Sequence, residues 1–130
     1  MSDSDRRQRI ALWVIRGILA AEFLYAGGFK LVTPMAALAQ ASPLPAAFLK
    51  FIGLCEVAGA LGLILPDLAG VWLGATRLAA AGLTIIMIGA TVVTIMTLGV
   101  GQAVAPFITG VLTTIVAVKH RPRTMPLRAP

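Results

Sequence analysis

Residues 10–31 read IALWVIRGILAAEFLYAGGFKL, an apolar run of membrane length that nevertheless carries Arg16, Glu22 and Lys30. About 20 apolar residues in a helix cross the roughly 30 Å of hydrocarbon in a bilayer. An Asp, Lys or Arg at the centre of such a helix costs about 2.5–3.5 kcal/mol on insertion scales, whereas each Leu, Ile, Val or Phe returns only about 0.3–0.6 kcal/mol. Two unpaired ions would cancel most of the drive to insert this segment, so its charges must be paired, neutral or close to an interface.

The rest of the chain has the same character. Its 130 residues are 58% hydrophobic and 12% charged, with a mean hydropathy of +0.93, whereas soluble domains run at about 25% charged. The apolar runs are continuous and do not alternate, which argues against a transmembrane barrel. These features predict an all-α, four-helix transmembrane bundle with spans at residues 10–31, 48–65, 78–98 and 102–118. Basic tails at 1–9 and 119–130 flank it. In the first loop, VTPMAALAQASPLPA (32–46) holds a short helix, begun by Thr33 and Pro34 and ended by Ser42, Pro43 and Pro45. It is too short to cross and is expected on the interface or folded as a lid.

Pro66 is read as the end of the second span, with residues 67–77 as a turn and an interfacial lead-in to the third. Lys30 and Lys50 at one interface, and Trp72 and Arg77 at the other, are expected to act as interfacial anchors. Gly99 and Gly101 form the next turn. Arg6, Arg7 and Arg9 precede the first span, and Lys119, Arg121, Arg123 and Arg128 follow the last, so the net charge of +6 reads as a topology signal with both termini cytoplasmic. Nucleic-acid binding is set aside because the tails lack interleaved aromatics and a recognition motif. The first run is too long for a cleavable signal peptide and is expected to remain as an anchor.

A lone cysteine, Cys55, excludes an internal disulfide and a CxxC pair. Neither a His/Cys cluster, a nucleotide-binding glycine loop nor a nucleophile–base pair appears, so no catalytic residue, metal ligand or cofactor is assigned. His120 is read as a surface residue. Helical depth arithmetic places Arg16 about 9 Å and Glu22 about 18 Å into the first span, and Glu56 about 15 Å from the cytoplasmic end of the second. On that basis Arg16 and Glu56 are the expected ion pair. Glu22 is left without a cation, which makes it the candidate for proton exchange, cation binding or a hydrogen bond to the polar head of a ligand such as a quinone.

Arg16 with Phe23, Ala26, Gly27, Lys30 and Leu31, then GLCEVAGALGLILP (53–66), then RLAAAGLTIIMIGA (77–90), resembles the DoxX-like family of small bacterial membrane proteins. The resemblance implies a four-helix bundle in the bacterial inner membrane. It also implies proximity to redox biology, since relatives include the membrane subunit of a thiosulfate:quinone oxidoreductase and components of oxidative-stress defence. Arg16, Lys30 and Glu56 match the recurring charged positions. The uncharged GVGQA segment (99–103) departs from the charged, often His-containing stretch of the family, so no site is carried over there. The expected role is a non-catalytic subunit or partner of a redox or envelope assembly, with membrane lipids and a membrane-protein or redox-enzyme partner around it. A proton-coupled small-molecule transporter, a quinone- or lipid-binding protein and a homo-oligomer are the alternatives.

Overall fold

Five helices follow one another in a computed structural model that describes residues 2–70 and 74–120. They are α1 (Asp3–Val32), α2 (Met35–Ala41), α3 (Ala46–Ala69), α4 (Ala75–Leu98) and α5 (Val100–Lys119). All but α2 are long and apolar enough to cross a membrane.

The polar residues 3–9 ahead of Ile10, read from sequence as a basic tail outside the first span, are part of the first helix. Ser2 caps α1 by accepting the Asp5 amide at 3.3 Å, and Asp3 and Asp5 sit in the first turn, where the helix dipole favours carboxylates. Extending an existing helix is inexpensive once the nucleus is formed. After Pro34 the short α2 rests against α3 and buries only Leu38.

Pro66 lies inside α3, which continues to Ala69 and closes at Gly70 in the left-handed region (φ 69°). This corrects the expected end of the span, and it moves Asp67 from a turn into the last part of the helix. A proline at position 66 has no N–H for the carbonyl of Gly62, and such a group cannot stay unpaired in hydrocarbon. The fully buried Thr76 of α4 donates its hydroxyl to the Gly62 oxygen at 3.0 Å. The next carbonyl, that of Leu63, receives Arg16. The helix passes through the proline because side chains from two neighbours satisfy its backbone. α4 begins at Ala75, with Arg77 in its first turn, and Trp72 lies outside the described residues. One residue, Gly99 (φ 94°), separates α4 from α5, so Gly101 and Gln102 are already helical.

α1 packs on α3, α3 on α4 and α4 on α5, each pair antiparallel, while α1 and α5 touch only sparsely. Lipid tails are as apolar as leucine, so helix association depends on close van der Waals approach at small residues. A Cβ on Gly27 would lie 2.6 Å from the Gly53 carbonyl oxygen, and one on Gly62 would lie 2.8 Å from the Ala79 Cβ. These contacts fix the register, with Gly27 opposite Gly53 and Gly59 opposite Leu83. Leu19, Phe23, Leu63, Leu83 and Val116 fill the interior. Ile18, Tyr25, Leu78, Ile85 and Met96 face outward, as side chains bathed in lipid do.

Candidate functional site

The register that places Gly27 against Gly53 also brings Arg16, six residues into the apolar run, level with the last part of α3. There its guanidinium is buried. Nη1 lies 3.0 Å from Asp67 Oδ2, Nε donates to the Leu63 carbonyl at 2.8 Å, and Nη2 donates to the same oxygen. Trp13, one turn back on α1, stacks beneath it with the ring centroid 4.3 Å from Cζ, a geometry that favours a cation over the aromatic face.

His120, at the end of α5, enters the same cluster. It is 4% exposed, and its Nε2 is 3.6 Å from Asp67 Oδ2. Burial holds the imidazole below its ordinary value, the Arg16 and Arg77 guanidiniums push in the same direction, and Asp67 opposes them. Among the described residues, Asp67 Oδ1 and His120 Nε2 have no hydrogen-bond partner. Alongside, Arg77 Nε donates to the Ala117 carbonyl at 3.0 Å and ties the start of α4 to the last turn of α5.

At the other end of the bundle Lys30 turns inward. Its Nζ lies 3.1 Å and 2.9 Å from the two carboxylate oxygens of Glu56, whose side chain is 3% exposed. Helical side chains point back toward the helix N-terminus, which here directs the long lysine stem down α1 to the deeper glutamate. Lys50 donates to the Leu31 carbonyl at 2.8 Å, closing the end of α1.

The expected Arg16–Glu56 pair is therefore not formed. Each residue has a different partner, and from Glu56 to Asp67 is eleven residues, about 16 Å of helix at ~1.5 Å per residue. The error follows from ending α3 at Pro66, which shifted the depth scale of that helix. Lys30, expected to reach outward, instead neutralises Glu56. His120, expected at the surface, is buried. Asp67 and His120 were the members that sequence reasoning missed. A carboxylate directly after a membrane proline, at the same end of the bundle as Arg16, is the signal that pointed to the first.

Glu22 projects from α1 toward α5 and remains exposed. The Thr109 hydroxyl donates to its Oε1 at 2.8 Å. This contact bridges the two helices that otherwise scarcely meet. Thr84 and Thr113, whose hydroxyls lie 2.9 Å apart, join α4 to α5 nearby. Among the described residues no group of three His, Cys, Asp or Glu side chains is placed to hold a metal.

With these positions in view, the profile of the DoxX-like family matches residues 14–116. The chain belongs to the DoxX-like family. No curated protein and no solved structure matches it. The stretch shared with other DoxX-like proteins contains Arg16, Glu22, Lys30, Glu56, Asp67 and Arg77, and it ends before His120.

Proposed function

We propose that this DoxX-like protein is a non-catalytic membrane subunit that docks on a partner in a redox or envelope assembly, through the face where α1 and α5 meet. The observation that carries this reading is the exposure of Glu22 midway along a membrane helix. Arg16, Asp67, Lys30 and Glu56 are committed to ion pairs inside the bundle, so the interior charges are engaged in structure. Glu22 has the Thr109 hydroxyl but faces outward, where an ionisable group against lipid is costly. A protein surface that covers it and supplies a donor removes that cost. The redox or envelope setting rests on the relatives that the family resemblance brings with it. Exposed Arg6, Arg7, Arg9 and Arg77 at the end where α1 begins and α5 finishes support an orientation with both termini in the cytoplasm of a bacterial cell.

The test is affinity purification of the full chain from native membranes. A redox or envelope enzyme should co-purify in fixed ratio and be lost from Glu22→Gln, while the purified variant keeps the thermal stability of the parent. Recovery of the bundle with phospholipid alone would overturn the subunit reading. A proton-linked carrier is the second reading, favoured by the Thr109–Glu22 bond across a sparsely packed seam. It requires proton-driven flux in liposomes that disappears in Glu22→Gln.

A further inference from the structure

The end of α5 is held against the bundle by a histidine in an under-satisfied pocket. His120 is the only histidine in the chain and terminates α5, its backbone N–H donating to the Val116 carbonyl at 2.9 Å. Its ring is buried beside Asp67, yet the nearest approach, 3.6 Å from Nε2 to Oδ2, is longer than an N–H···O bond. Oδ2 is already taken by Arg16 at 3.0 Å, while Oδ1 and Nε2 are both buried and find no hydrogen-bond partner among the described residues. Among the described residues, the docked arrangement thus gives neither atom the hydrogen bond it would make in water.

We infer that His120 is a proton-sensitive latch: the neutral ring docks beside Asp67, and protonation of the ring releases the end of α5 from α1 and α3. The charged groups facing the ring settle the direction. Among the described residues, Arg16 from α1 and Arg77 from α4 are the cations and Asp67 from α3 is the anion that act on the ring, Asp67 itself being paired with Arg16. A neutral imidazole fits this pocket. An imidazolium adds another cation to a buried site whose one carboxylate is engaged, so a proton taken from the adjoining aqueous phase binds better when the ring is out in water. Two states follow: a docked neutral ring, and an undocked charged ring with the last turn of α5 loosened. The lowering of the His120 proton affinity in the docked state agrees with this order. The chain continues from His120 into a segment rich in arginine and proline (121–130).

The single histidine makes the test direct. The full chain, isotopically labelled at histidine and placed in phosphatidylcholine nanodiscs, is titrated by NMR while amide hydrogen exchange is followed in residues 116–119. The ring should titrate below the midpoint of a free histidine, with the protection factors of the last turn, that is exchange corrected for its intrinsic pH dependence, falling about tenfold as pH is lowered through the same interval. Arg77→Gln should raise the ring's midpoint, and Asp67→Asn should lower it. His120→Gln, which keeps a neutral polar side chain, should hold the protection factors constant across the range. A ring that titrates as free histidine would overturn the inference, as would protection factors that are flat in the parent or that fall equally in His120→Gln.

Discussion

The Arg16 guanidinium and the Asp67 carboxylate lie 3.0 Å apart with both side chains almost fully buried. They join the first and third helices at the end of the bundle where the chain begins. Two further donations from Arg16 to the Leu63 carbonyl make the guanidinium a fastener of backbone as well as charge. Removing one member of a buried pair strands the other and costs about 3–5 kcal/mol. Arg16→Gln and Asp67→Asn should each destabilise the protein on that scale in detergent melts, with a coupling energy of about 1–3 kcal/mol between them. Arg16→Gln and Glu56→Gln should add to within about 0.5 kcal/mol. A strong coupling in the second cycle and none in the first would contradict the observed pairing.

Lys30 and Glu56 behave differently because the lysine side chain keeps 26% exposure. Lys30→Met alone should cost toward the lower end of about 3–5 kcal/mol, since it leaves a carboxylate buried without its cation. Lys30→Met combined with Glu56→Leu should recover most of that loss, because apolar replacements of a whole buried pair are often neutral. A double variant no more stable than the single one, by chemical denaturation in mild detergent, would argue against the pair.

Adjacent glycines on α1 offer a contrast. A Cβ at Gly27 meets the Gly53 carbonyl oxygen at 2.6 Å, whereas at Gly28 nothing lies within 4 Å. Gly27→Ala must push α1 from α3 against a backbone atom that cannot turn aside, and a loss of about 1–3 kcal/mol is expected from such overpacking. Gly28→Ala should be tolerated. Equal melting temperatures for the two variants would place the helix contact elsewhere.

Thr76 and Pro66 provide a test through rescue. Thr76→Val removes the donor to the Gly62 carbonyl and should cost about 1–3 kcal/mol for the stranded oxygen. Pro66→Ala restores an N–H at the position that normally serves that carbonyl. In the Pro66→Ala background, Thr76→Val should therefore cost measurably less, and an unchanged penalty would show that Thr76 acts through packing alone.

His120 gives the protein's stability a pH dependence whose sign is set by its lowered folded-state value. The unfolded chain binds a proton near the ordinary 6.5, and the folded chain does so only at lower pH. The histidine's contribution is complete above about 6.5 and declines as pH falls toward the folded value. Melting temperatures taken from pH 8 down to 5 should fall more in the parent than in His120→Gln. Parallel profiles would remove His120 as the cause.

The composition and the four apolar runs made the membrane bundle legible from residues alone, because hydrocarbon admits few backbone arrangements and helices satisfy their own polar groups. The charged residues in the runs were likewise visible, as was the need for each to find a partner. Which partner each one found was decided only by the tertiary structure. Pro66 looked like a terminator by local rules, but Thr76 and Arg16, distant in sequence, supplied the bonds that let α3 continue. That continuation set the depth of Asp67, the Gly27–Gly53 approach set the register, and together they exchanged the expected Arg16–Glu56 pair for two others. Apolar runs mark which segments form helices, whereas where a helix stops and its axial register depend on close contacts between residues far apart in the chain, and a charge pair is sensitive to a shift of a single turn.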